Sequence, residues 1–120
     1  MNKTQIFLDT SFVLDILKFK INLDTELLRI CDFQYELVSF DLILKELENK
    51  KLGKLAKKFL EIKNVKLLET PNNLNTLDEV FLTLTNNPII ATNDGELKNL
   101  LKSKHIKTLT IRQKMYLIII

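Results

Sequence analysis

Short apolar runs alternate with longer amphipathic segments along this chain, and this alternation restricts its fold more than any other feature. Residues 5–8, 35–40 and 89–91 are apolar runs of strand length, and the segments between them carry apolar residues at helical spacing. Strands that alternate with such helices favour right-handed crossovers and a mostly parallel sheet. Because strands this apolar need cover on both faces, the pattern predicts a three-layer α/β/α sandwich with a five-stranded sheet.

The element boundaries follow from the same periodicity and from turn residues. Strands are expected at residues 5–8, 35–40, 65–68, 89–91 and 108–111, and helices at 11–19, 24–31, 53–62, 77–85 and 93–104, with a further helix after residue 41. The apolar tail from Met115 to Ile120 is expected to form either a buried last strand or a homodimer contact.

Length and composition limit the class of protein. The 120 residues suit one domain, 1–120, and 46% hydrophobic with 28% charged residues is a globular composition. The single cysteine, Cys31, offers neither an internal disulfide nor a zinc site. Charged residues interrupt the apolar N-terminal segment and no run is long enough for a membrane span, so a cytoplasmic protein without a membrane partner is expected.

Positive charge is mild overall but locally concentrated. The net charge is +3, and lysines cluster from Lys45 to Lys63 and again from Lys98 to Lys114. Such clusters often form solvated helix faces, but they are also compatible with binding nucleic acid phosphates. As candidate phosphate contacts we take Lys45, Lys50, Lys54 and Arg112.

Acidic residues follow several of the predicted strands. Asp9 follows the first strand directly, Asp94 follows the fourth, and Glu46 lies on the helix after the second. Asp78 and Glu79 open the helix that leads into the fourth strand. Carboxylates gathered at the C-terminal edge of a parallel sheet repel one another, and Mg²⁺ or Mn²⁺ would relieve this repulsion. Such a centre suits phosphodiester hydrolysis.

Each acid also has a structural explanation. Asp9 could cap the helix after it, with Ser11 as another cap, and Glu46 could pair with Lys50 one helical turn away. Thr76 and Glu79 match a capping box, which explains Glu79 without a metal. Asn93 and Glu96 match a second capping box, with Asp94 in the first helical turn, where the helix dipole favours a negative charge.

At this point the motifs resemble those of a known family. Residues 7–14, 38–47 and 89–97 are similar to the first, second and fourth motifs of PIN-domain ribonucleases. The closing segment 108–117 resembles a small archaeal branch related to the PIN nucleases that process ribosomal RNA, and the chain is also similar to VapC-type toxins. The resemblance covers nearly the whole chain.

The resemblance implies a PIN-like fold and Mg²⁺- or Mn²⁺-dependent cleavage of single-stranded RNA. It makes Asp9, Glu46 and Asp94 core acids, places Glu79 in the third acid position with Asp78 one residue away, and makes Glu96 an additional acid. Polar support for the metals is implied at Ser11, Thr92 and Asn93. The catalytic set is therefore Asp9, Glu46, Glu79 and Asp94, and the metal-ligand set adds Asp78 and Glu96.

The resulting expectation is an endoribonuclease in RNA processing or in a toxin–antitoxin pair. Its RNA could be ribosomal or transfer RNA, and its protein partner an antitoxin or a processing complex. The alternative is a PIN-fold module that binds RNA or protein with little or no cleavage. A third hypothesis, a phosphoacceptor domain, needs a lysine after the last strand, and Lys114 fits that position only loosely.

Overall fold

The computed structural model describes residues 3–120 as a sheet of six strands flanked by helices. The strands are β1 Thr4–Leu8, β2 Tyr35–Phe40, β3 Lys66–Leu68, β4 Ile89–Ala91, β5 Lys107–Arg112 and β6 Tyr116–Ile119. The helices are α1 Thr10–Lys18, α2 Leu23–Ile30, α3 Leu42–Leu47, α4 Gly53–Ile62, α5 Leu77–Phe81 and α6 Gly95–Ser103. The expected α/β sandwich with a mostly parallel sheet is confirmed.

The strand order is β3-β2-β1-β4-β5-β6, so the chain builds outward in both directions from the β1–β4 pair. Strands β1 to β5 run parallel, and β1 pairs with both β2 and β4. The direction of winding therefore reverses between β1 and β4, where the segments after these two strands leave a crevice at the C-terminal edge of the sheet.

The central strands are covered on both faces. Consecutive residues of β1 and β4, from Ile6 to Leu8 and from Ile89 to Ala91, are buried, which a sheet open to water on one face would not allow. Phe7 stacks on Phe40 with ring centroids 5.6 Å apart, and Phe81 of α5 packs against both rings. This aromatic group joins β1, β2 and α5 below the crevice.

The apolar tail, for which either a buried last strand or a homodimer contact was expected, forms a sixth strand. β6 runs antiparallel to β5 through the pairs from Leu109↔Ile119 to Arg112↔Tyr116, so the apolar tail packs on its own sheet. Three residues, 113–115, connect the two strands, and the Met115 N–H donates to the Arg112 carbonyl at 3.1 Å. The two central residues of this turn, Gln113 and Lys114, have φ 55° and 57°, the left-handed region that a type I′ turn requires. Neither residue favours this conformation, and that is why the sequence carried no hairpin signal.

The outer edge of β6 is bound by side chains of α2. The Leu117 N–H donates to Glu26 Oε1 at 2.8 Å, and the Leu117 carbonyl accepts from Arg29 Nη2 at 2.8 Å. Glu26 and Arg29 also form an ion pair at 2.9 Å. The pair occupies the positions that a further strand would fill at Leu117, and it hinders edge-to-edge pairing there.

Several expected helix ends are wrong by a few residues. Helix α6 has Asp94, and not Asn93, as its N-cap, because the Asn93 side chain is bonded to Asp15 and Thr110. Helix α1 begins at Thr10 with Asp9 at its N-cap, and the Ser11 hydroxyl bonds to Asp9 instead of capping.

Turns in this chain are made almost without glycine. Eight residues with positive φ are present in the described part of the chain, and none is a glycine: Lys20, Asn49, Asn64, Asn86, Asn87, His105, Gln113 and Lys114. The turn at Asn86 and Asn87 follows α5, which ends at Phe81 and not at the expected residue 85. Across residues 3–120, none of the helices is long and apolar enough to cross a membrane.

Candidate active site

Carboxylates from four separate segments line one cavity of about 390 Å³ at the C-terminal edge of the sheet. They follow β1, lie on α3, open α5 and precede α6, so the crevice between β1 and β4 collects them. The lining residues are Asp9, Thr10, Ser11, Leu14, Glu46, Lys50, Asp78 and Asp94.

Asp9 is the most buried of these acids, with 5% of its surface exposed. Its Oδ2 accepts hydrogen bonds from the Ser11 and Thr92 hydroxyls, both at 2.8 Å. Burial raises the pKa of Asp9, the hydroxyl bonds oppose that rise, and the charge of Glu46 adds to it. Asp9 is therefore held in one orientation at the floor of the cavity.

Glu46 connects three helices around the cavity. Its Oε1 accepts from the Thr10 hydroxyl at 2.7 Å, and its Oε2 accepts from the Leu77 backbone N–H at 3.1 Å. Within residues 3–120 it forms no ion pair with Lys50, so the solvated-pair explanation is wrong. The sequence did not indicate Thr10, because a threonine at a helix start has no distinctive pattern.

Asp94 combines a structural contact with a place in the cavity. As N-cap of α6 it accepts from the Leu97 N–H at 3.1 Å through Oδ1, and its own N–H donates to the Thr92 hydroxyl at 3.1 Å. Thr92 thus bonds to Asp9 and Asp94 together and fixes the spacing between β1 and the start of α6.

At the start of α5 the structure selects between two neighbouring acids. Asp78 lines the cavity. Glu79 lies outside it, exposed, and completes the capping box: its Oε1 accepts from the Asn75 and Thr76 N–H groups at 3.0 Å each. Of the two acids, the structure therefore places Asp78 in the cavity with Asp9, Glu46 and Asp94, and places Glu79 outside it.

Burial and the neighbouring negative charges raise the pKa of Asp78 to about 6. Burial contributes most, followed by the charges of Asp9, Asp94, Glu46 and Glu96. Glu96 is exposed in the first turn of α6 and does not line the cavity, although its charge reaches Asp78. An all-oxygen, strongly negative donor set is the kind that Mg²⁺ and Mn²⁺ prefer.

The acids share the cavity without converging on a single point. Across residues 3–120, no group of three or more Asp, Glu, His or Cys side chains is arranged to hold a metal ion directly. Donor chemistry thus fits a divalent cation, whereas the side-chain positions do not form a closed coordination sphere.

Asn93 supports the site through contacts that the sequence did not indicate. Its side-chain amide donates to Asp15 Oδ2 at 2.6 Å and accepts from the Thr110 hydroxyl at 3.2 Å, and its N–H donates to the Ser11 hydroxyl at 3.2 Å. Asp15, a residue of α1, thus anchors the segment between β4 and α6 to that helix.

Of the four candidate phosphate-binding residues, one, Lys50, lines the acidic cavity. Lys50 lines both the acidic cavity and a second cavity of about 500 Å³, where Lys51, Lys54 and Lys57 also lie. Lys45 lines a third cavity, which shares Glu46 with the acidic one. Arg112 is exposed at the C-terminal end of β5, the same edge of the sheet.

Comparisons with known proteins agree with this architecture. Ribonuclease VapC4 of Methanocaldococcus jannaschii is 37% identical to this chain, with 90% of each chain covered. The solved structure of the PIN domain endonuclease Utp24 superposes with a TM-score of 0.81 at 20% identity, covering 96% of this chain and 90% of that one. No protein-family model matches the chain.

Proposed function

This chain belongs to the PIN-domain ribonuclease family, and from that premise we propose that it is an endoribonuclease hydrolysing phosphodiester bonds of single-stranded RNA with Mg²⁺ or Mn²⁺. The observation that carries the proposal is the shared cavity of Asp9, Glu46, Asp78 and Asp94. Four carboxylates left unneutralised in one crevice would destabilise the fold, and this cost is reasonable where the site binds a cation.

Carboxylates of this set would hold the metal, in part through bound water molecules, because Mg²⁺ usually retains several waters and needs few direct protein ligands. A bound divalent ion lowers the pKa of a water molecule and stabilises negative charge on phosphate oxygens. Asp9 is oriented for this role by two hydroxyls, and Asp94 keeps one oxygen, Oδ1, on the α6 cap. Each carboxylate oxygen of Glu46 accepts one hydrogen bond and retains a second lone pair that can bind the metal or its water.

The chain's cationic residues would position the RNA backbone. Lys50 borders the acids directly, so its ammonium group can bind a phosphate next to the cleaved bond. Lys54 extends the positive surface away from the acids, Lys45 lines the neighbouring cavity that shares Glu46, and Arg112 lies at the same edge of the sheet. A groove with acids at its centre and lysines at its rim holds RNA by its phosphates and cuts it at one place.

The biological setting we propose is either RNA maturation or a toxin–antitoxin pair, with ribosomal or transfer RNA as substrate. VapC4 is named a ribonuclease, which supports RNA as the substrate, and Utp24 is named an endonuclease, which supports cleavage within a chain. An antitoxin or a processing complex would be the protein partner in the respective setting.

Cleavage of a mixed-sequence single-stranded RNA tests the proposal. Wild type, Asp9→Asn and the control Asp32→Asn are compared with Mn²⁺, Mg²⁺ or EDTA. Asp32 is an exposed acid before β2, at the opposite edge of the sheet, so it matches the charge change without touching the cavity.

We expect metal-dependent cleavage that Asp9→Asn reduces by roughly 100-fold or more, the order lost with a positioned catalytic group. Asp32→Asn should cut like wild type. Cleavage that persists in EDTA, or in a folded Asp9→Asn protein, would show that the carboxylates are not the catalytic centre.

A further inference from the structure

The cavity that shares Glu46 with the acids has a different lining. It measures about 630 Å³, and the segment between β3 and α5, residues 69–76, supplies much of its wall. Resting on the proposed ribonuclease function, we infer that this cavity binds the base of the RNA nucleotide next to the cleaved phosphate. In this subsite the side-chain amides of Asn72 and Asn75 recognise the base.

The segment is anchored at both ends. At its start, Thr70 bonds to Asp41 through its N–H and its hydroxyl, and the Leu42 N–H donates to that hydroxyl at 3.2 Å. At its end, the Asn75 N–H donates to Glu79 Oε1 at 3.0 Å. The wall is thus held in place before a ligand arrives, which lowers the entropy cost of binding.

The side-chain amides of this segment are available to bind a ligand. Asn72 and Asn75 are exposed and line the cavity, and within residues 3–120 neither side-chain amide makes a hydrogen bond. Each amide offers two donors and one acceptor group, the complement of a base edge. Unstacked bases of single-stranded RNA are recognised by hydrogen bonds to such edges.

The rest of the lining suits a planar apolar ring. Leu42, Pro71 and Leu74 provide apolar surface beside the amides. Lys45 is the cavity's one cation among the lining residues, so this cavity is far less basic than the neighbouring one around Lys50, Lys51, Lys54 and Lys57. The lysine-rich cavity suits phosphates, and the amide-lined cavity suits a base.

Glu46 connects the subsite to the acids. It lines both cavities, and its Oε2 accepts from the N–H of Leu77, the residue directly after the anchored segment. A base in the amide-lined cavity therefore belongs to a nucleotide that adjoins the phosphate at the acids. The subsite would set the sequence preference of cleavage.

Binding without cleavage tests the inference separately from the proposed function. Fluorescein-labelled RNA oligonucleotides of equal length, each rich in one of the four bases, are titrated in EDTA with the full chain, and anisotropy gives the affinities. The variant is Asn72→Ala/Asn75→Ala. The control is Asn73→Ala, in the same turn but not lining the cavity.

We expect wild type and Asn73→Ala to prefer one base by roughly five-fold or more, and the double variant to lose that preference. Equal affinity of wild type for all four RNAs, or an unchanged preference in the double variant, would overturn the inference. Selective binding that depends on Asn72 and Asn75 in a protein that cuts no RNA would sustain the subsite and reject the ribonuclease proposal.

Discussion

Single residues in the cavity carry both fold and charge, and Asp94 shows how the two can be separated. Its Oδ1 caps α6, and its side chain lines the acidic cavity. The proposed role of Asp94 in cleavage depends on its negative charge. Asparagine caps a helix about as well as aspartate but is neutral, whereas alanine lacks the capping oxygen. The same position can therefore lose its charge with or without the cap.

Asp94→Asn should abolish cleavage and leave the free energy of unfolding nearly unchanged. Asp94→Ala should also abolish cleavage and lower that free energy by about 1 kcal/mol. Urea denaturation and an RNA cleavage assay measure both effects. A folded Asp94→Asn protein that cuts as fast as wild type would remove Asp94 from the catalytic set.

The neighbouring acids Asp78 and Glu79 should differ in the same assays. Asp78→Asn should stop cleavage, whereas Glu79→Gln should cut normally because glutamine can keep the capping box with Thr76. Loss of activity in Glu79→Gln alone would contradict the placement of Asp78 in the cavity.

Asp78 should also affect the pH dependence of stability without metal. Its folded-state pKa is about 6, above the ordinary value of 3.8, so between these pH values the folded state binds more protons than the unfolded state. Ionisation of Asp78 should therefore remove stability as pH rises through this range. Urea titrations in EDTA should show Asp78→Asn gaining stability relative to wild type across the range, and a constant difference between the two proteins would contradict this.

How far the sequence predicted the site depended on the range of the contacts. Asp9 and Asp94 could be placed because residues after neighbouring parallel strands meet at one edge. The hydrogen bonds of the Asn93 side chain to Asp15 and Thr110 could not be predicted, because they join segments that are distant in the sequence. For Glu79 the sequence allowed both a metal ligand and a capping-box residue, and the structure shows that it forms the capping box with Thr76.

At the scale of secondary-structure elements, α2 and β6 depend on each other. The Glu26–Arg29 pair bonds both backbone groups of Leu117. The hydrogen bond from Arg29 and then that from Leu117 lower the pKa of Glu26 below its ordinary 4.5. The sequence left the tail open between a last strand and a homodimer contact, because the turn before β6 lacks asparagine and glycine and the edge of β6 is held by a remote helix.

Glu26→Gln should weaken this attachment in a pH-dependent way. Because the folded-state pKa is lowered, the stabilisation by ionised Glu26 is present above about pH 4.5 and is lost as pH falls through the folded-state value. The stability gap between wild type and Glu26→Gln should be present at pH 7 and shrink in acid. A gap that is equal at both pH values, or that matches the exposed control Glu69→Gln, would argue against the ion pair as its cause.

At the scale of the whole molecule, positive and negative charges are segregated on the surface. The net charge is +3, yet the crevice holds four acids, while lysines stand beside it and on the opposite edge of the sheet. The lysines attract the phosphates of an approaching RNA, whereas the four acids repel them. The position of each lysine, and not the net charge, should decide its effect on RNA binding.

RNA affinity in EDTA should fall as salt rises. Lys50→Gln/Lys54→Gln should weaken binding and make the slope of log affinity against log salt shallower by about 1.4, or 0.7 for each lost phosphate contact on single strands. The matched control is Lys104→Gln/Lys107→Gln, which removes equal charge at the opposite edge. Equal slopes for the two double variants would mean that RNA does not follow the lysine-rich cavity.

The scarcity of glycine in the turns also affects the conformational entropy of the unfolded chain. Glycine widens the range of conformations of an unfolded chain, and a sequence with two glycines in 120 residues begins from a narrower ensemble. Left-handed residues such as Lys20, Gln113 and Lys114 are strained by about 1–2 kcal/mol each once folded. A glycine there would relieve that strain but enlarge the unfolded ensemble by about 0.5–1 kcal/mol of entropy, so only part of the relief would become stability.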